Sequence, residues 1–202
     1  MSVEPEASGP TYHWPIPPAG GWTADDLDRL PNLPPHTELI DGSLIFVSPQ
    51  TRFHMRAMRF FEWQLLSQAP DGFDVLREFT IDIDRRNRPE PDLIIAQDDD
   101  DDPVGTRLPV DKVRLAIEVV SPDSVDRDRT AKPLKYARAK IPHYWRVENV
   151  DNRAVIYVFE LEPATGAYTS TGIFHDHLKV SVPFPIDLDL TEIRFKQRPA
   201  AE

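Results

Sequence analysis

The chain alternates short apolar runs with turn residues, a pattern that predicts a mixed α/β fold. Apolar side chains cover a wide helical stripe over residues 52–69 and predict the main helix. A shorter helix is expected over 130–140, where Pro133 fits only in the first turn. The remaining apolar runs predict strands at 73–84, 93–96, 113–120, 143–148, 154–161, 168–174 and 178–182.

The first part of this pattern predicts a helix followed by a hairpin. Thr23 is a suitable N-cap for a short helix that Pro31 ends. Asp41-Gly42 then lies between two apolar runs, which is a strong hairpin signal. The runs 93–96 and 113–120 do not alternate, so we expect central strands buried on both faces. Strands flank both main helices, which predicts a mixed sheet with helices packed against it.

Prolines and glycines divide the chain into three parts. They punctuate residues 1–21 and predict a flexible Pro-rich N-terminal tail. We expect a single domain over 22–197 and a loose C-terminus over 198–202. The start lacks the basic and apolar stretches of a signal peptide, and no apolar run approaches the roughly 18 residues of a membrane span. These features favour a cytoplasmic protein without a membrane partner.

Composition excludes several kinds of chemistry. The chain has no cysteine, which rules out disulfides, thiolate metal sites and cysteine nucleophiles. It also lacks a glycine-rich phosphate loop, a nucleophile elbow and zinc-finger spacing, so ATP and nicotinamide chemistry have no support. The net charge of −11 argues against a broad basic surface for nucleic acid. A local basic groove or bound metal ions remain compatible with that charge.

Two carboxylates in the central runs indicate a metal site. Asp92 directly precedes Leu93-Ile94-Ile95, and Glu118 lies inside the apolar run 115–120. A glutamate in such a run is rarely buried unless it is paired or metal-bound. Carboxylates on adjacent strands offer the hard oxygen ligands that suit Mg²⁺ or Mn²⁺. The alternatives are that Glu118 faces solvent or pairs with an arginine, and that Asp92 only begins its strand.

Several segments follow one another in a specific order along the chain. They are Glu38-Leu39-Ile40-Asp41-Gly42, Ser48-Pro49, His54, Pro91-Asp92-Leu93-Ile94-Ile95, Ala116-Ile117-Glu118-Val119-Val120-Ser121-Pro122, Asp128, Lys132, Tyr136 and Ile141-Pro142-His143-Tyr144-Trp145. Their order and spacing resemble the Uma-type putative restriction endonuclease family of the PD-(D/E)XK nuclease superfamily, and the resemblance covers roughly residues 22–182.

This resemblance implies a restriction-endonuclease-like fold, which is a mixed β-sheet flanked by helices, here with additional β-hairpins. It also implies that Asp92 and Glu118 hold a divalent metal. The backbone carbonyl of Val119 would be a further ligand, and Glu38 would supply a further carboxylate from the first hairpin.

The chain departs from the superfamily pattern at one position. The pattern places a lysine two residues after the glutamate, where this chain has Val120. The resemblance suggests Lys132 from the following helix as the substitute. Lys132 and Tyr136 share a helix face at i, i+4, whereas Leu134, Ala137 and Ile141 are expected against the sheet. Lys135 is the second candidate, and an ordinary solvated lysine is the alternative.

These groups together predict hydrolysis of a phosphodiester by in-line attack of a metal-activated water. The metal would polarise the phosphoryl oxygen, and the lysine would add positive charge where negative charge accumulates. We therefore expect a Mg²⁺- or Mn²⁺-dependent endonuclease acting on DNA. The alternatives are a non-catalytic binding or assembly module, which Val120 and the charge of −11 favour, and a nuclease for RNA or for branched or single-stranded DNA. A homodimer is expected, because two-fold dimers are the commonest assemblies and suit cleavage of two strands.

Further candidates carry weaker signals. His54 could contact phosphate or a catalytic carboxylate, or be structural. His175-Asp176-His177 has ligand types for a transition metal, but a polar loop is the preferred interpretation. The run Asp98 to Asp102 lacks the glycine and terminal glutamate of a calcium loop and is expected to be solvated. The candidate phosphate-facing cations are Arg85, Arg86, Arg88, Arg127, Arg129 and Arg138.

Overall fold

The computed structural model of the protein describes residues 15–46, 49–97 and 104–193. Within these ranges the helices are α1 (Ala24–Leu27), α2 (Arg52–Gln68) and α3 (Lys132–Arg138). The strands are β1 (Glu38–Ile40), β2 (Ser43–Ile45), β3 (Phe73–Arg77), β4 (Thr80–Asp82), β5 (Leu93–Gln97), β6 (Arg107–Pro109), β7 (Val113–Val119), β8 (His143–Val150), β9 (Arg153–Glu162), β10 (Ala167–Phe174), β11 (His177–Val180) and β12 (Ile186–Asp189). Ser48, the acidic run Asp98 to Asp102, most of the predicted N-terminal tail and the predicted loose C-terminus lie outside the described residues.

Six strands form the central sheet in the order β10-β9-β8-β7-β5-β3. β7 and β8 run parallel because the segment that contains α3 crosses between them, and the other neighbouring pairs are antiparallel. β5 and β7 lie inside the sheet, and nearly all their residues are buried, as their apolar runs predict. The mixed sheet flanked by helices that the sequence predicts is confirmed.

The two faces of the sheet pack against different helices. Alternate strand residues such as Leu93 and Ile117 join one core with α2 side chains including Phe61. The intervening residues, such as Ile94 and Ala116, join a second core with Tyr136 of α3. Because Glu118 follows Ala116 by two residues, the pleat directs its side chain towards α3.

The β1–β2 hairpin is fastened to the segment that leads into β5. Asp41 and Gly42 adopt the positive φ values that their turn requires. Leu39 bridges to Arg88 in antiparallel pairing, and the side chain of Asn87 accepts a hydrogen bond from the Asp41 N–H at 2.9 Å. This attachment holds Glu38 beside Glu90, shortly before β5 begins at Leu93.

Several predicted boundaries are wrong. The strand expected over 73–84 divides at Glu78, whose φ of 49° redirects the chain, so β4 pairs with β6 outside the central sheet. The short strands β6 and β12 were not predicted. A π-helical turn, Arg127–Ala131, precedes α3. Leu134, expected against the sheet, is 54% exposed because it points away from α3's buried face.

Among the described residues, no helix is both long enough and apolar enough to cross a membrane.

Candidate active site

The antiparallel pairing of β5 with β7 brings Asp92 and Glu118 together. Leu93 pairs with Ile117, so the same register one residue further sets Asp92 opposite Glu118. Oδ2 of Asp92 accepts a hydrogen bond from the Val119 N–H at 2.6 Å. The two carboxylates expected from the sequence therefore lie on one end of neighbouring central strands.

Glu118 is held by two side chains of α3. The ammonium of Lys132 donates to Oε2 at 3.0 Å, and the hydroxyl of Tyr136 donates to Oε1 at 2.6 Å. The two donors are one helical turn apart, as their i, i+4 spacing requires. Glu118 is 2% exposed, so both oxygens of a buried carboxylate have partners from the protein.

Lys132 also contacts two further carboxylates. Its Nζ lies 3.0 Å from Oε1 of Glu38 and 3.9 Å from Oδ1 of Asp128. Glu38 is held in turn by the Glu90 N–H, which donates to Oε1 at 2.8 Å. Glu38 and Lys132 are both buried, although the hairpin and α3 are far apart in sequence.

Asp128 reaches this cluster from the π-helical turn. The Ser124 hydroxyl donates a short hydrogen bond to its Oδ2, whereas Oδ1 has no hydrogen bond within the described residues. The Tyr144 hydroxyl donates to the Asp128 carbonyl at 2.6 Å and holds the turn in place. Sequence reasoning missed Ser124 and Tyr144. The i, i+4 spacing of Ser124 and Asp128 was the available signal for the first.

Burial and neighbouring charge shift the pKa values of the cluster. Burial raises the pKa of Glu118 well above its usual value, although the charge of Lys132 opposes the rise. Burial also raises the pKa of Asp128. Burial alone would lower the pKa of Lys132, but Glu118 and Glu38 outweigh it and raise that pKa well above normal. Burial and the charge of Glu118 raise the pKa of Tyr136, so its hydroxyl remains a donor.

The cluster has the ligand chemistry of a hard cation. The carboxylates of Glu38, Glu118 and Asp128 lie around the ammonium of Lys132, and Asp92 lies opposite Glu118. Oδ1 of Asp128 also lacks a hydrogen bond within the described residues. Excess buried negative charge with oxygen donors fits Mg²⁺ or Mn²⁺. Among the described residues, no three His, Asp or Glu side chains are arranged as a group that could hold a metal ion.

His54 extends the cluster from the other face of the sheet. It lies in the first turn of α2, where the Thr51 side chain accepts a hydrogen bond from its N–H at 3.2 Å. Its Nε2 is 3.1 Å from Oδ1 of Asp92, but the angle is not that of a hydrogen bond, and neither ring nitrogen has a hydrogen-bond partner among the described residues. The sequence suggested that His54 contacts either phosphate or a carboxylate, and the structure places it beside the carboxylate of Asp92.

Several of the other candidate residues have partners of their own, whereas Nε of Arg127 is buried without a hydrogen bond among the described residues. Arg129 forms a bidentate pair with Glu148. Lys135, the second candidate lysine, pairs with Asp41 at 2.6 Å. The guanidinium of Arg86 donates to backbone carbonyls of residues 20 and 41, and Arg88 pairs with residues 28 and 82. Of the three residues expected in a polar loop, His175 and Asp176 form an exposed bend, but His177 begins β11, where it pairs with Asp189 and lies 2.5 Å from Asp187.

Comparisons with known proteins give a matching family and a solved structure of similar fold. The sequence profile of the Uma2 family, described as "Putative restriction endonuclease", matches residues 24–192. Among solved structures, the fold is similar to that of "a putative nuclease belonging to DUF820" from Anabaena variabilis ATCC 29413, with a TM-score of 0.66. The sequences are 15% identical, and the likeness covers 85% of this chain and 96% of the other. A comparison with curated proteins found no match.

Proposed function

Because the chain belongs to the Uma2 family, described as "Putative restriction endonuclease", we propose that it is a divalent-metal-dependent endonuclease that hydrolyses phosphodiester bonds in DNA. The family description and the fold neighbour support nuclease function in general. The cation and the DNA substrate are what we add to it. The observation that carries the proposal of a metal-dependent DNA endonuclease is that Glu38 and Glu118 meet on the buried ammonium of Lys132, with Asp92 opposite Glu118.

The proposed cation is Mg²⁺ or Mn²⁺. Asp92, Glu118 and the backbone carbonyl of Val119 would hold it, with Glu38 as a further carboxylate. When bound, such a cation polarises a phosphoryl oxygen and lowers the pKa of water. The acidic overall charge does not oppose this chemistry, because the cation neutralises part of the cluster locally.

In this proposal Lys132 takes the role of the lysine that the superfamily pattern places two residues after the glutamate, where this chain has Val120. It approaches Glu118 from α3, and its raised pKa keeps it charged over the whole physiological range. A fixed positive charge beside the scissile phosphate would stabilise the negative charge that develops there. Tyr136 and His54 are positioning residues in this proposal, because they touch the carboxylates of Glu118 and Asp92.

The test is cleavage of plasmid DNA by the purified chain with Mn²⁺ or Mg²⁺. We expect Asp92→Asn and Glu118→Gln each to lower the rate by about 10²-fold or more, because each removes charge that holds the cation. Asp187→Asn is the matched control, since that carboxylate is exposed and pairs with Lys179. Cleavage that persists in both site variants would refute the proposal.

One observation favours a non-catalytic binding or assembly module as the second candidate. Lys132 is already paired with Glu118 and Glu38, so the cluster is partly neutralised without a cation. This alternative predicts that titration calorimetry detects no Mn²⁺ binding, and that nucleic-acid binding is unchanged in Asp92→Asn.

We also propose a homodimer, as expected of a nuclease that cuts both strands. α2 exposes Met55, Trp63 and Leu66 to solvent, which is unusual for side chains of this size. Light scattering on the purified chain tests the proposal, and a monomeric mass across the working concentration range would refute it.

A further inference from the structure

A cavity of about 360 Å³ lies beside the candidate active site, on the opposite face of α3 from Lys132. Its volume falls within the roughly 300–1,000 Å³ of ligand sites in proteins. Pro133, Leu134, Ala137 and Arg138 line it from α3. These positions lie about half a helical turn away from Lys132 and Tyr136 around the axis of α3. One face of α3 therefore contacts Glu118, and the opposite face lines the cavity.

The floor of this cavity is a row of aromatic rings. Tyr144 stacks on Phe159 with centroids 5.7 Å apart and an interplanar angle of 27°. Tyr168 lies 5.7 Å from Tyr144 at 30°. Both tyrosine hydroxyls donate to backbone carbonyls, so the rings are fixed in orientation. Phe159 and Tyr168 are only partly buried, which leaves ring surface open to the cavity.

Arginines surround this aromatic floor. Arg129, Arg138 and Arg146 all line the cavity. The guanidinium of Arg146 lies 4.4 Å from the ring centroid of Tyr157 and 5.5 Å from that of Phe159. Glu148 pairs with Arg129 and Arg146, whereas Arg138 is exposed at the rim. The mouth is therefore locally basic on a chain whose net charge is −11.

A second cavity, of about 490 Å³, also borders Arg129. It is lined by Val120 and Ser121, which follow Glu118 and Val119 along the chain, and by Arg52 at the start of α2. Arg129 lines both cavities, and its ion-pair partner Glu148 lines the second. A nucleic-acid strand that passes Arg129 would therefore border both cavities.

We propose that the aromatic cavity binds one unstacked base of a single-stranded DNA segment whose phosphates pass Arg129, a proposal that rests on the proposed nuclease function. Aromatic faces and arginine planes are the surfaces on which single-stranded bases stack, and they do so without reading sequence. A paired duplex can present such a base only after unstacking and unpairing it. The preferred substrate is therefore DNA in which one segment is unpaired.

The test is binding of fluorescent oligonucleotides, measured by anisotropy with a chelator present so that no cleavage occurs. The probes are a DNA single strand, the same strand with an abasic position, and the blunt duplex. Phe159→Leu keeps apolar volume but removes the stacking ring, and Arg138→Gln removes the rim charge. The matched controls are Phe174→Leu on the neighbouring strand β10 and Arg153→Gln on β9, neither of which lines the cavity.

We expect the wild type to bind the single strand more tightly than the duplex. Phe159→Leu should weaken single-strand binding by about 5-fold or more, within the range known for a stacked base, and should lose sensitivity to the abasic position. The controls should bind as the wild type does. Equal affinity for single strand and duplex, or equal losses in Phe159→Leu and Phe174→Leu, would overturn the proposal.

The design separates this inference from the nuclease proposal. If Asp92→Asn and Glu118→Gln keep cleaving, the proposed function fails, while the chelated binding experiment still decides whether the cavity takes a base. If Phe159→Leu cleaves and binds single strands as the wild type does, the cavity proposal fails and the metal-dependent function stands.

Discussion

At the scale of single residues, Lys132 is the charge on which the buried cluster depends. It is 5% exposed and contacts the carboxylates of Glu118 and Glu38. Removing one partner of a buried ion pair leaves uncompensated charge in a poorly solvated place. We therefore predict that Lys132→Met lowers the free energy of unfolding of the chelated protein by about 3–5 kcal/mol, measured by urea denaturation.

Lys135→Met is the matched control for this prediction. Lys135 lies on the same helix and is also buried, but its partner Asp41 has a side chain that is 71% exposed. Water can solvate that carboxylate when the lysine is gone, so we expect a loss of about 1 kcal/mol or less. Equal losses of unfolding free energy in the two variants would show that the buried carboxylates do not make Lys132 more important for stability than Lys135.

His143 gives the chain a predictable response to acid. Burial lowers its pKa, and the charge of Glu160 offsets this only in part. The unfolded chain therefore binds a proton at a higher pH than the folded one, so stability decreases as the pH falls below about 6.5. Between about pH 7.5 and 5.5 we predict that the wild type loses more unfolding free energy than His143→Gln. His175→Gln, on an exposed turn, should follow the wild type, and parallel curves for all three proteins would contradict the prediction.

Single-residue reasoning from the sequence succeeded where the signal was local. Glu118 stood out because a carboxylate in an apolar run needs a partner, and the structure supplies Lys132 and Tyr136. The resemblance supplied Lys132, since no periodicity could show which lysine of a later helix faces a strand. The hydrogen bond of Ser124 to Asp128 was missed because its only signal is the i, i+4 spacing, which many pairs of polar residues share without any contact.

At the scale of elements, the β1–β2 hairpin must hold its shape for Glu38 to reach the cluster. Gly42 has a φ of +77°, and a Cβ there would lie 2.7 Å from Nη2 of Arg86. Gly166 has a φ of +65° with open space around its Cβ position. We predict that Gly166→Ala costs about 1 kcal/mol of stability and Gly42→Ala at least about 1 kcal/mol more, because it adds steric conflict to backbone strain.

Thermal unfolding of both glycine variants measures the difference, and the cleavage assay shows its consequence. Gly42→Ala should also slow cleavage, because the turn is linked through Arg86 and Asn87 to the segment that leads to Asp92. Gly166→Ala should leave cleavage unchanged. Identical stabilities would mean that Arg86 moves aside without cost.

Element boundaries show where pattern reasoning stops. The alternation over residues 73–84 continues through Glu78, so nothing in the spacing reveals the positive φ that moves β4 into a different sheet. The exposed position of Leu134 has a similar cause. α3 is only seven residues long, and its rotation follows from Lys132 and Tyr136 meeting Glu118, so an apolar residue is left beside the aromatic cavity.

At the scale of the whole molecule, buried charge links the fold to the proposed cation. The central strands place Asp92 and Glu118 together, and the hairpin and the π-helical turn add Glu38 and Asp128, so folding concentrates negative charge in one place. Lys132 compensates only part of it. Repulsion among these carboxylates should lower the stability of the folded chain when no cation is bound. A cation that binds the native state should raise it, because such a ligand shifts the unfolding equilibrium.

We therefore predict that Mn²⁺ stabilises the chelated protein against heat. At about 100 times the dissociation constant, binding contributes about 2.7 kcal/mol, which for a chain of this size corresponds to a rise in Tm of about 5–10 °C. Asp92→Asn should lose most of this rise, and Asp187→Asn should keep it, since Asp187 is an exposed carboxylate outside the cluster. Differential scanning calorimetry with and without Mn²⁺ measures the shift. A rise of the same size in both variants would place the cation elsewhere, and would remove the support that the buried carboxylates give to a metal-dependent nuclease.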